Sequence, residues 1–202
     1  MVKYMVFDFD GTIADTFQKI KSIVNDLKKE EGKEIDFEEI RDYGTIALIK
    51  KSGVPFWKLP KFIYRTMSEL KNKGNIKLFP WTSKVFKKLS KDYKLGILSS
   101  NSEGNIRSVL RKYKIENLFE FVYSKSSLFG KHKTIKKMCK KYKIKSNEAI
   151  YVGDEDRDII AAKKVKIKII AVTWGFNSKK RLKEKNPDYL IENPRELLKI
   201  KF

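Results

Sequence analysis

An apolar, β-prone run from Met1 to Phe9 ends in Asp8-Phe9-Asp10-Gly11-Thr12, and this junction constrains the fold of the whole chain. A short run of this kind reads as a strand buried on both faces, as in a parallel sheet. Residues i and i+2 of a strand share a side. Asp8 and Asp10 should therefore emerge together at the strand's C-terminal end, while Phe9 turns back into the core. Gly11 permits a tight turn that a Cβ would obstruct. Two carboxylates on one edge repel each other unless something positive joins them. A hard dication with oxygen ligands meets that need, and Mg²⁺ is the usual one. Two surface aspartates in a loop are the plainer reading. Against it, the four fixed positions of Asp-x-Asp-Gly-Thr arise by chance in roughly a few chains per thousand of this length.

The residues after Thr12 change character. Phe17, Ile20, Ile23, Val24 and Leu27 give residues 15–29 one apolar helical face, which Gly32 ends. Asp36 with Glu39 three residues later opens a short helix to Tyr43. Two further helices are expected over 46–51 and from Val54-Pro55 to about Lys71, before Asn72-Lys73-Gly74-Asn75 breaks the pattern.

From there strand and helix alternate. A helix is expected from Pro80 to Lys91, then the strand Leu95–Leu98 running into Ser99-Ser100-Asn101, with Ser102 capping a helix to about Tyr113. Phe119–Tyr123 reads as a strand, and Gly130-Lys131-His132-Lys133-Thr134 precedes a helix to Tyr142. The strand Ala149–Val152 leads into Gly153-Asp154-Glu155-Asp156-Arg157-Asp158. Lys168–Val172 is the last main strand, Pro187–Ile191 a short edge strand, and Asn193-Pro194 opens a C-terminal helix. The fold class is α/β: a Rossmann-like parallel-sheet core over 1–14 and 80–202, with an all-helical cap over 15–79 inserted after the first strand.

Two of these strand ends carry further chemistry. A serine hydroxyl followed by free backbone N–H groups suits a phosphate, although a strand-to-helix turn needs the same residues. Asp154 and Asp158 are four apart, so on a first helical turn they share a face. Acids also suit a helix N-terminus for its dipole alone.

In order, these features resemble the four motifs of the haloacid dehalogenase superfamily, the aspartate-nucleophile phosphatases. Asp8-Phe9-Asp10-Gly11-Thr12 matches the first, Ser99 the second with Ser100 as the neighbouring register and Asn101 in support, Lys131 the third, and Gly153-Asp154 through Asp158-Ile159-Ile160-Ala161-Ala162 the fourth. His132 stands where the family commonly has proline after the lysine. Thr173-Trp174-Gly175-Phe176 looks like a segment of phosphoglycolate-phosphatase-like members, with Trp174 read as packing.

The resemblance implies Asp8 as nucleophile and Asp10 as general acid and base. Mg²⁺ would be held by Asp8, the Asp10 carbonyl, Asp154 and Asp158. Ser99, Ser100, Asn101 and Lys131 would bind phosphate. In the cap, Arg41, Tyr43 and Trp57 could meet a substrate, Arg41 foremost. The second acid, Asp10, separates the pattern from dehalogenases, whose halide leaves without a proton. The implied reaction is Mg-dependent hydrolysis of a small phosphomonoester, phosphoglycolate-type first, through an aspartyl-phosphate on Asp8. Phosphomutase or pyrophosphatase chemistry on the same fold, or a non-catalytic basic nucleic-acid-binding protein, are the alternatives.

Composition narrows the classes further. Forty-six Lys and Arg against 25 Asp and Glu give a net charge of +21. The lysines are spread from Lys3 to Lys201 in ones and twos, without an Arg-rich block or a nucleic-acid motif, which argues against nucleic acid as the partner. Such an exterior would still draw a phosphorylated metabolite inward. Cys139 is the one cysteine and forms no internal disulfide. With no leader-like start and no run of 18 apolar residues, a cytoplasmic protein off the membrane is expected, as monomer or homodimer.

Overall fold

In a computed structural model, which describes residues 2–16, 41–42, 76–125 and 130–200, six strands form one sheet in the order β3-β2-β1-β4-β5-β6. The strands are β1 (Tyr4–Phe7), β2 (Lys94–Ser99), β3 (Phe119–Ser124), β4 (Ala149–Gly153), β5 (Lys168–Val172) and β6 (Tyr189–Ile191). Every neighbouring pair runs parallel. Helices α1 (Thr82–Leu89), α2 (Glu103–Lys112), α3 (Lys131–Tyr142), α4 (Asp156–Lys164) and α5 (Lys179–Glu184) alternate with the strands. This is the α/β architecture expected, strand for strand. The helices expected between residues 17 and 75, with Tyr43 and Trp57, lie outside the described residues.

The strands are mostly apolar on both sides because both sheet faces are covered. Met5 and Phe7 face one core layer with Val85, Phe86, Leu89, Ile106 and Leu110. Val6 faces the other, with Ile135, Met138 and Ile159. Phe7 meets Phe86 edge to face, with ring centroids 4.8 Å apart. Burying one such side chain contributes roughly 1.5–3 kcal/mol, and a well-placed aromatic pair adds about 0.5–1.5 kcal/mol.

Local signals place the helix starts. Ser102 accepts from the Asn105 N–H at 3.3 Å, and Ser178 from the Arg181 N–H at 3.1 Å. One element differs from expectation. Asn193 and Pro194 open only a 3-10 turn, Pro194–Leu198, rather than an α-helix. Leu197 is its one buried side chain, so no apolar face exists to hold a longer helix.

The sheet order puts β1 between β2 and β4, the point where the chain's winding reverses and where open α/β sheets bind ligands. The strand register aligns the ends: Phe7 lies beside Ile97 and Val152, and the Asp8 N–H donates to the Val152 carbonyl at 2.8 Å. Beyond that edge, residues 13–15 and 77–79 run antiparallel, with Asp15 N–H to Lys77 O at 2.8 Å and Phe79 N–H to Ile13 O at 3.2 Å.

Candidate active site

Asp8, directly after β1, is 5% exposed. Its Oδ1 accepts the Phe9 N–H at 2.7 Å, and its Oδ2 accepts Lys131 Nζ at 2.5 Å. Lys131 is the first residue of α3, so the helix start delivers it to the edge of β1. It also pairs with Asp158 Oδ1 on α4, and its ammonium stands 5.3 Å from the Tyr151 ring centroid. Burial opposes the Lys131 charge, but Asp158 and Asp8 outweigh that and hold its pKa well above the usual lysine value.

Asp154, the residue after β4, is 1% exposed, and each of its oxygens takes one hydrogen bond. Thr12 Oγ1 donates to Oδ1 at 2.7 Å, and the Phe176 N–H donates to Oδ2 at 2.7 Å. Two glycines make room for this carboxylate. A Cβ on Gly11 would stand 2.2 Å from Asp154 Oδ2, and one on Gly175 2.3 Å from Asp154 Cβ. Gly11 also has φ of +76°, a left-handed conformation that a side chain disfavours.

Asp8, Asp154 and Asp158 offer one oxygen each within 4.8 Å of one another, and all three are buried. Burial, then the charges of Glu155, Asp158 and Asp8, raise the Asp154 pKa well above the carboxylate range. Burial likewise raises Asp158, against the pull of Lys131. Asp10 is pushed up to about 7 by burial and by Asp8, while Asn101 and Arg157 pull it down. Its Oδ1 is buried without a hydrogen-bond partner. Carboxylates crowded until they resist ionisation, with one oxygen left unsatisfied, fit a hard divalent cation, whose charge would reverse each of these shifts.

Beside this cluster lies a pocket open to solvent, lined by Asp8, Leu98, Ser100, Lys125, Lys131, Thr134 and Arg157. The structure thus separates the two serines. Ser100 is on the pocket wall, whereas Ser99 is 1% exposed and its Oγ accepts the Asn101 N–H at 3.0 Å, closing the turn. Asn101 is buried and accepts the Ser102 N–H at 2.8 Å.

The acids of the fourth motif are also sorted. Asp154 and Asp158 join the cluster, but Asp156 turns to Arg181, at 2.6 and 3.0 Å, and Glu155 pairs with Arg157. Arg41 lies outside the pocket lining. Its guanidinium donates to the carbonyls of Phe176 at 3.2 Å, Gly175 at 3.3 Å and Thr173 at 3.5 Å. Arg157, Thr12 and Lys125 were given no role by sequence reasoning. The available signal for Arg157 was a lone base inside a run of acids, and for Thr12 its place in the first motif.

Sheet order and site together define an α/β protein with an aspartate cluster, a buried lysine and an open pocket at the C-terminal edge of a parallel sheet. Residues 5–172 match the family described as haloacid dehalogenase-like hydrolase, and the chain belongs to that family. It is 31% identical over 200 residues to the phosphoglycolate phosphatase of Synechococcus elongatus, covering 96% of this chain and 94% of that one. It is 23% identical over 206 residues to the pyrophosphatase PpaX of Oceanobacillus iheyensis, covering 98% and 96%. The fold is shared with a haloacid dehalogenase-like family hydrolase from Streptococcus pneumoniae, at a TM-score of 0.82 and 24% identity over 98% of this chain and 97% of that one.

Proposed function

We propose that the protein is a Mg-dependent phosphatase of small phosphomonoesters, with a phosphoglycolate-type substrate first, acting through an aspartyl-phosphate on Asp8. The observation that carries this reading is the meeting of Asp8 with Lys131 at 2.5 Å on the wall of an open pocket, with Asp154 and Asp158 behind them. The likeness to a phosphoglycolate phosphatase over nearly the whole chain supports the substrate class.

The chemistry follows from the residues. A carboxylate approaching a phosphate dianion is repelled by about 4 kcal/mol per charge pair at 4 Å and an effective dielectric of 20. Lys131 and Arg157 on the pocket wall offset this, and Ser100 can donate to a phosphoryl oxygen. A Mg²⁺ ion held by Asp8, the Asp10 carbonyl, Asp154 and Asp158 would neutralise charge on the phosphoryl group. An Asp8 oxygen attacks phosphorus, the ester P–O bond breaks, and Asp10 gives its proton to the departing alkoxide. Asp10 then takes a proton from the water that attacks the acyl phosphate, releasing inorganic phosphate and restoring both aspartates.

Pyrophosphate is the second reading, favoured by Lys125 and Arg157 beside Lys131 in the pocket and by the likeness to a pyrophosphatase. A panel of phosphomonoesters and pyrophosphate, assayed with Mg²⁺ and with chelator, tests both. Mg-dependent phosphate release that vanishes in Asp8→Asn is expected. Undiminished release by that variant would refute the assignment.

A further inference from the structure

We propose that Arg41 is a positioning residue for Asp154, acting through two consecutive peptide planes of the loop that follows β5. The proposal rests on the reading of Asp154 as a cation ligand. Arg41 lies in sequence between β1 and α1, far from the loop after β5, yet it is bonded to that loop.

The peptide between Gly175 and Phe176 carries both contacts. Its carbonyl accepts from the Arg41 guanidinium at 3.3 Å, and its N–H donates to Asp154 Oδ2 at 2.7 Å. The next peptide repeats the arrangement. The Phe176 carbonyl accepts Arg41 Nε at 3.2 Å, and the Asn177 N–H donates to the Asp154 carbonyl at 3.2 Å. A trans peptide is rigid and planar, with its C=O and N–H pointing opposite ways. A guanidinium fork that fixes both carbonyls on one side therefore aims both N–H groups at Asp154 on the other. A charged donor at the carbonyl also polarises each peptide and strengthens its N–H bond.

The clasp is reciprocal. The Arg41 carbonyl accepts from Asn177 Nδ2 and from the Ser178 N–H, each at 3.1 Å, and the Asp42 carboxylate accepts from Ser178 Oγ. Asn177 is fully buried, and its Oδ1 accepts the Asp156 N–H at 2.7 Å at the start of α4. The loop lies directly against Asp154, since a Cβ added at Gly175 would stand 2.3 Å from the Asp154 Cβ. Arg41 and the Asp154 carboxylate thus share one loop: when Arg41 leaves, the Phe176 N–H loses its aim at Asp154 Oδ2.

The test reads cation binding and the loop directly. Mn²⁺ affinity, measured by electron paramagnetic resonance on the full chain, is expected to fall at least ten-fold in R41A. The Phe176 amide proton is expected to shift upfield as its hydrogen bond lengthens. R41K, which can reach one carbonyl but lacks the fork, should recover only part of both. In turnover, R41A should raise the Mg²⁺ concentration for half-maximal rate more than it raises KM for the ester. Unchanged Mn²⁺ affinity and an unmoved Phe176 amide in folded R41A would overturn the proposal. If R41A does not fold, full wild-type values in R41K would overturn it as well. Wild-type protein that binds Mn²⁺ but hydrolyses no phosphoester would instead sink the phosphatase reading and leave the Arg41 readouts intact.

Discussion

Asp8 and Lys131 meet at 2.5 Å where their side chains are 7% and 10% exposed, so neither charge is well solvated. Removing one partner then has unequal consequences. In Asp8→Asn, Lys131 keeps Asp158, so the fold should survive while phosphate release falls to background. In Lys131→Met, two buried carboxylates lose their counter-charge, and unfolding in urea should show a loss of about 3–5 kcal/mol, since breaking a buried pair from one side is strongly destabilising. Asp10→Asn should fold normally and lower kcat by about 10²–10⁴, the usual share of general acid–base catalysis. In cation-free protein, carbon-detected NMR should show Asp10 titrating at about 7, and added Mg²⁺ should lower that value. An Asp10 that titrates in the ordinary carboxylate range without cation would mean that its environment is wetter than its buried, unpartnered Oδ1 indicates.

At the scale of elements, each site group stands where a strand ends or a helix begins. Asp8 follows β1, Asp154 follows β4, Lys131 opens α3 and Asp158 sits in the first turn of α4. These placements were legible in the sequence, because a buried strand has an apolar signature and its end is marked where the first polar residues appear. The order of contacts at those ends was not. Ser99 and Ser100 are equivalent by pattern, and only the pairing of Ser99 with Ser124 in the sheet determines which of them reaches the pocket wall. The loops are built as closely as the strands. Gly175→Ala would drive a Cβ to 2.3 Å from Asp154. It should cost about 1–3 kcal/mol through overpacking, measured as a lowered urea midpoint, and should weaken Mg²⁺ binding alongside.

For the molecule as a whole, the crowded carboxylates couple stability to pH. Asp10 is raised from 3.8 to about 7 in the fold, so between those values the folded chain holds more protons than the unfolded one. Stability therefore falls as pH rises through that window. Cation-free protein should melt higher at pH 5.5 than at 7.5. Mg²⁺ should raise the melting temperature more at pH 7.5, because protons compete with it at the lower pH. Asp154 and Asp158, raised by the same burial, add to the fall in stability with pH in the same direction. The net charge of +21 adds a long-range effect: KM for an anionic ester should rise with added salt, since screening weakens attraction over the whole surface. Among the described residues no helix is long and apolar enough to cross a membrane.

The residue pattern alone carried the six strands and their parallel pairing, because apolar period is a local property, whereas the grouping of Lys131 with Asp8 and Asp154 rested on the resemblance to the four motifs. Spacing and the fourth motif singled out Asp154 and Asp158 among the acids that follow β4, but not the partner that holds each one. Asp154, Glu155, Asp156 and Asp158 differ little in type, and their fates depend on what arrives from distant parts of the chain: Lys131 for Asp158, Arg181 for Asp156, and the Thr12 hydroxyl and Phe176 amide for Asp154. Arg41 makes the same point, since its guanidinium meets carbonyls more than 130 residues away, with separations of 132, 134 and 135. Such contacts form between backbone groups that carry no sequence signature, so they exist only once the sheet has set the distance between its loops.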